Sequence, residues 1–286
     1  MNEAVISEVE IKCKDRIVLK GTLFRPDNPK AAILMAPATG IRRIFYHKFC
    51  AYVAAHGYAV LNFDNRGIGD SISGNINAME ASLINWGRYD MRAALNKLQE
   101  EIPGKDVHLM GHSAGGMLFG LMENAKDFKT ICTYGCASGN IKKMDSSFRW
   151  KARLFMNGII PVSNFLFGVT KSNWVRMGET LPKAVASQWR TWCNREGYIL
   201  PDLDVKITDH SYYELNCPMR WIYAQDDPIV NMNTIEEVKP MFPSFSPEFI
   251  EIKPADYSYK SIGHMNFFRS NRKELWPLVL DWLEQH

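Results

Sequence analysis

The chain opens on alternating apolar and polar positions. Val9, Ile11 and Cys13 alternate with charged residues, and Ile17, Leu19, Gly21 and Leu23 alternate again after Asp15-Arg16. A period of two sends successive side chains to opposite faces, so the pattern predicts a hairpin-like pair of strands. From residue 31 the texture changes to short continuous apolar runs at Ala32–Met35, Tyr58–Phe63, Val107–Met110, Thr130–Tyr134 and Met219–Tyr223, with Glu248–Ile252 later. Such runs suit strands buried on both faces of a parallel sheet. Segments of helical spacing lie between them. Phe45, Phe49, Tyr52 and Val53 share a face before Gly57, a residue suited to a left-handed cap. Met91, Ala94, Leu95 and Leu98 fall at i, i+3, i+4 and i+7, and Met117, Leu118, Leu121 and Met122 predict a helix after Val107–Met110. A last helix is predicted over 271–284, with Asn271 and Glu274 spaced like a capping box. Strands and helices in alternation predict an α/β protein with a mostly parallel central sheet and helices on both faces.

Residues 140–212 break the rhythm. They carry four of the eight tryptophans (Trp150, Trp174, Trp189 and Trp192) and the run Phe165-Leu166-Phe167, with helical spacing and no strand pattern. The stretch is too long for a simple loop. It reads as a helical cap inserted into a core formed by 1–139 and 213–286.

Composition narrows the class without naming a function. A chain of 286 residues, 46% hydrophobic and 23% charged, is an ordinary globular composition, large enough for one α/β domain with an insertion. The net charge of +3 is spread over scattered Lys and Arg, so no nucleic-acid footprint is visible. No run approaches the roughly 18 apolar residues of a membrane span, and the acidic, alternating start reads as a strand rather than a signal peptide. Six cysteines are spread through the chain without a C-x-x-C. They predict reduced thiols and a cytoplasmic location. No His/Asp/Glu cluster has metal-ligand spacing, and no G-x-G-x-x-G occurs, so neither a metal nor a nucleotide cofactor is expected. The expected partner is a small molecule; a homodimer is compatible with the sequence.

The informative chemistry is Gly111-His112-Ser113-Ala114-Gly115-Gly116, directly after an apolar strand. A serine hydroxyl is a poor nucleophile unless the backbone presents it beside a base, and a tight strand-to-helix turn does that. Partners are then expected in the order Ser, acid, His, on loops at the carboxyl ends of later strands. The loop after Met219–Tyr223 holds Asp226 and Asp227, and the loop after Glu248–Ile252 holds His264. Asp227 is preferred as the acid because Pro228 keeps it extended, with Asp226 as the alternative. His264 would take the Ser113 proton and Asp227 would fix its tautomer. His112, next to the serine, should point away from the nucleophile's face. The oxyanion requires donors: the Ala114 N–H, and the Thr39 N–H in the small-residue loop Ala36-Pro37-Ala38-Thr39-Gly40. The polar turn Asp64–Ser71 reads as structural, with Arg66 and Asp70 tying it down. In the cap, Trp150, Phe165, Phe167 and Trp189 are expected either to line an acyl pocket or to pack the cap onto the sheet.

Nearly the whole chain resembles the α/β-hydrolase superfamily. Gly111–Gly116 resembles its nucleophile elbow, and Asp64-Asn65-Arg66-Gly67-Ile68-Gly69-Asp70-Ser71 resembles its D-x-R-G-x-G-x-S turn. Pro37-Ala38-Thr39-Gly40 paired with Leu181-Pro182 and Gln188-Trp189-Arg190-Thr191-Trp192-Cys193 resembles a bacterial group related to S33 aminopeptidases and monoacylglycerol lipase-like enzymes. The resemblance implies a serine hydrolase. Many relatives carry His-Gly where this chain has Pro37-Ala38, which leaves the oxyanion donor open. From the residues, the expected reaction is hydrolysis of an ester or thioester with a hydrophobic acyl group. Alternatives are an aminopeptidase or amidase, an acyltransferase, or a silent binding module. The aminopeptidase needs a cap carboxylate for the substrate amine, with Glu179, Glu196, Asp202, Asp204 and Asp209 as candidates.

Overall fold

A computed structural model describes residues 4–286. The alternating start forms β1 (Val5–Lys12) and β2 (Val18–Arg25), an antiparallel pair. Arg16, at φ 71°, turns the chain between them. The apolar runs become β3 (Ala32–Ala36), β4 (Ala59–Phe63), β5 (Val107–His112) and β6 (Phe128–Tyr134). All residues of β3, β4 and β5 are buried, as continuous apolar runs require.

Between β6 and the next sheet strand lie α-helices and a two-stranded ribbon, β7 (Val169–Thr170) with β8 (Leu181–Pro182). Its pairing was not legible as alternation because each strand is two residues long. Last come β9 (Met219–Ala224) and β10 (Glu248–Ile252). The eight-stranded sheet has the order β1-β2-β4-β3-β5-β6-β9-β10, parallel from β4 onward.

The helices cover both faces. On one side, α1 (His47–Ala55) and α8 (Pro277–Glu284) bury Phe49, Val53, Val279 and Leu283 against Ile33, Met35 and Ile222. On the other, α2 (Leu83–Asn85) passes through a π turn at Trp86–Met91 into α3 (Arg92–Glu101), which packs Leu95 and Leu98 onto Leu34 and Leu109. The insertion supplies α4 (Ser146–Leu154), α5 (Ile160–Phe167) and α6 (Lys183–Cys193), followed by α7 (Met232–Glu236) in the core.

Two helix expectations change. After Ser113 the chain forms two 3-10 turns, Ser113–Gly116 and Leu118–Leu121, rather than an α-helix. Glycines at 115, 116 and 120 weaken a helix by about 1 kcal/mol each, and Gly120 lies so close to the Tyr212 ring that a Cβ there would sit 2.1 Å from it. The last helix starts at Pro277, not 271: Arg272 is non-helical at φ −134°, and Glu274 accepts from the Tyr259 hydroxyl instead of capping a backbone N–H. A capping box does occur, at Asn231 and Thr234 in front of α7.

Candidate active site

Sheet order brings distant loops to one rim. The chain leaves β4, passes β3 and forms β5 on its other side; at such a reversal a crevice opens beyond the carboxyl ends of the strands. β3 and β5 pair in register through Ala36 and Gly111, so the Thr39 loop and Ser113 emerge side by side. β6, β9 and β10 follow, delivering Gly135, Asp227 and the loop before His264 to the same edge.

Ser113 stands on a strained turn at φ +51°, a left-handed conformation that costs a non-glycine residue of order 1–3 kcal/mol. The surrounding backbone is too close for side chains. A Cβ on Gly111 would meet Gly116 Cα at 2.3 Å, and one on Gly115 would meet the Ala36 carbonyl oxygen at 2.3 Å.

The His264 ring lies between two partners. Its Nδ1 is 2.8 Å from Asp227 Oδ2 and its Nε2 is 3.1 Å from Ser113 Oγ. A carboxylate only accepts, so Nδ1 carries the proton and Nε2 is free to accept the serine proton. Burial pulls the imidazole pKa down, but the Asp227 charge and hydrogen bond outweigh it and hold the group above its ordinary 6.5.

The two aspartates divide the work. Asp227 Oδ1 accepts the Ile229 and Val230 N–H groups, which orients the carboxylate. Asp226 accepts from the Ser261 hydroxyl and from the Ile262 and Gly263 N–H groups, and so holds the loop that carries His264. Gly135, at φ +61°, leaves room for the ring: a Cβ there would be 3.2 Å from His264 Nδ1.

Ser113, Ala114, Thr39 and His264 line one cavity of about 440 Å³. Its walls are mostly apolar, with Met117, Met144, Phe148, Phe155, Met156 and Trp189 among them.

Residues 27–158 match the family described as "Serine aminopeptidase, S33". No curated protein sequence matches the chain. Among solved structures, a soluble variant of monoglyceride lipase from Saccharomyces cerevisiae, bound to a substrate analog, is similar at a TM-score of 0.66 and 14% identity, covering 98% of this chain and 96% of that one. A Pyrococcus furiosus esterase gives 0.64 and 16%, covering 99% and 91%. An Exiguobacterium antarcticum esterase gives 0.60 and 11%, covering 97% and 100%. The chain has the α/β-hydrolase fold.

Three of the four cap aromatic residues expected to line an acyl pocket or pack the cap lie away from the cavity. Trp150, Phe165 and Phe167 are 59%, 87% and 42% exposed and are absent from the cavity wall; of the four, Trp189 alone lines it. Helical spacing showed that these residues share a segment, but which face turns inward depends on how the helices dock.

Sequence reasoning also missed a network beneath the site. The fully buried His112 places Nε2 3.0 Å from the His264 carbonyl oxygen and Nδ1 2.8 Å from the Tyr46 hydroxyl. The carbonyl only accepts, so Nε2 carries the proton, Tyr46 donates to Nδ1, and the Tyr46 oxygen in turn accepts the Ala38 N–H at 3.0 Å. Burial first, and the neighbouring His264 charge second, push the His112 pKa down to about 3, so it stays neutral at working pH. Among the described residues the adjacent Thr39 N–H has no protein acceptor.

The polar turn is tied down as expected, through unexpected partners. Arg66 is fully buried between Asp90 and Asp15, and Arg43 joins Asp64, Asp70 and Glu8. All six cysteines are free. No helix among the described residues is long and apolar enough to cross a membrane.

Proposed function

We propose that the chain is a cytoplasmic serine hydrolase that cleaves carboxylic esters or thioesters with a hydrophobic acyl group. The observation that carries this reading is the His264 ring bonded to Asp227 on one side and Ser113 on the other at an apolar cavity. Ser113 Oγ attacks the acyl carbonyl carbon as its proton passes to His264 Nε2. The Thr39 and Ala114 N–H groups hold the developing oxyanion. The bond to the alcohol or thiol then breaks, and the leaving group departs with the His264 proton. Water, deprotonated by the same imidazole, adds to the acyl-enzyme and releases the acid and free Ser113. Asp227 stabilises the imidazolium throughout. Residues 140–212 act as the cap that closes over the acyl chain.

The aminopeptidase alternative would need a carboxylate facing the substrate amine. Among the described residues no Asp or Glu lines the cavity: Asp202 is paired with Arg195, and Asp204 with His210. An ester or thioester therefore fits better than an aminoacyl amide.

The test is Ser113→Ala assayed on p-nitrophenyl esters of increasing chain length beside aminoacyl-p-nitroanilides, with fluorophosphonate labelling of the unaltered protein. The expected result is labelling, a preference for medium or longer esters, and a loss of at least about a thousandfold in kcat in the variant. Retained turnover in Ser113→Ala, or cleavage of the anilides in preference to esters, would overturn the reading.

A further inference from the structure

Among the described residues, the wall of the cavity carries two arginines and no Asp or Glu. Arg176 and Arg269 both line it, both are exposed, and neither guanidinium has a carboxylate partner among the described residues. Six arginines, Arg42, Arg43, Arg66, Arg92, Arg195 and Arg220, are paired with carboxylates; among the described residues without such a pair, Arg176 and Arg269 are the two arginines that line the cavity. The two arginines come from separate elements fixed at the rim. Arg176 closes the 3-10 turn Ser172–Val175 at φ +60°, and three residues further on the Glu179 N–H bonds the Gly40 carbonyl at 2.8 Å, which ties this segment to the Thr39 loop. Arg269 follows His264 by five residues, with its guanidinium 5.5 Å from the centre of the Phe45 ring, itself part of the wall. Two forked donors beside a mostly apolar cavity match a ligand with one hydrocarbon end and one oxyanionic end.

We infer that the substrate's leaving group carries a phosphate, held by Arg176 and Arg269, while its acyl chain occupies the apolar part of the cavity. The inference rests on Ser113 hydrolysis for its catalytic meaning, though not for binding. When the ester or thioester bond breaks, the alcohol or thiol leaves with the His264 proton and takes its phosphate with it. A phosphate on the leaving group can come from a glycerol phosphate, where it lies a few bonds from the scissile ester, or from a phosphopantetheine thiol, where it lies more than ten bonds away.

Two substrate pairs separate these sources: dodecanoyl-coenzyme A against dodecanoyl-N-acetylcysteamine, and 1-dodecanoylglycerol-3-phosphate against 1-dodecanoylglycerol. In at least one pair the phosphate-bearing member should have the higher kcat/KM, with the advantage in KM, and the pair that shows it names the source. In the double variant R176Q/R269Q that ratio should fall at least tenfold. A second measurement does not depend on turnover: in a Ser113→Ala background, dodecyl phosphate binding measured by calorimetry should weaken at least tenfold when R176Q/R269Q is added. Neutral substrates preferred in both pairs, or dodecyl phosphate bound equally with and without the arginines, would overturn the inference while leaving Ser113 hydrolysis standing. Arginine-dependent binding without fluorophosphonate labelling or hydrolysis would uphold phosphate recognition and sink the hydrolase reading instead.

Discussion

At the scale of single residues, adjacent aspartates with the same chemistry differ only in what they touch. Pro228 made Asp227 the better candidate from sequence, but the reason is clearer in space: Asp227 meets the ring, and Asp226 meets the backbone that carries it. Asp227→Asn should therefore do more than slow the reaction. It removes the charge that offsets burial of His264, so the imidazole pKa falls from above 6.5 to below it. A neutral base is required, so in the unaltered protein kcat/KM should drop as pH falls through a midpoint above 6.5. In Asp227→Asn the residual rate should be lower by about 10⁴ at neutral pH and its acid midpoint displaced downward. A pH profile of kcat/KM for both proteins checks this; an unmoved midpoint would refute the coupling.

At the scale of elements, the turn at Ser113 and the Thr39 loop hold each other in place. Gly115 lets the turn lie against the end of β3 with no space for a methyl group, since its Cβ would be 2.3 Å from the Ala36 carbonyl oxygen and 2.7 Å from that of Pro37. Gly115→Ala must force these backbones apart. We expect a loss of roughly 1–3 kcal/mol in stability from overpacking and a kcat loss larger than the rise in KM, because the Thr39 and Ala114 amides proposed to hold the oxyanion separate. Urea unfolding and steady-state kinetics on the same preparation measure both; a fully active, equally stable variant would contradict the close approach. The missing helix after Ser113 belongs at this scale too. The apolar spacing of Met117, Leu118, Leu121 and Met122 is real, and all four are buried, but 3-10 turns bury them while admitting the glycines and Tyr212.

At the scale of the whole molecule, buried neutral histidines make the fold acid-sensitive. Burial pushes His108 down to about 4 and His112 down to about 3, against about 6.5 in an unfolded chain. A histidine depressed by folding contributes stability above pH 6.5 that is lost as acid charges the unfolded chain first. Between pH 6.5 and 4.5 each should cost about 2–3 kcal/mol. His264 works the other way: its raised pKa favours the folded state below pH 6.5 and loses that contribution as pH rises through the folded value. Urea-denaturation midpoints from pH 4.5 to 6.5 should fall steadily toward acid, and His108→Gln should flatten part of that slope. A pH-independent midpoint in this window would contradict the buried, neutral state.

The chain's own order of residues determined a good deal. Period-two alternation and continuous apolar runs located the strands because burial on one face or two leaves a one-dimensional trace. The glycines around Ser113 and the placement of Asp227 and His264 after later strands were legible because turn sterics and chain order are local properties. Tertiary structure decided which residues share a space. It turned Trp189 inward and Phe165 outward, threaded His112 and Tyr46 beneath the site, and put Arg176 and Arg269 on the wall of one cavity. These pairings join positions tens to more than a hundred residues apart, and they follow from docking of faces and strand order in the sheet, which no local periodicity encodes.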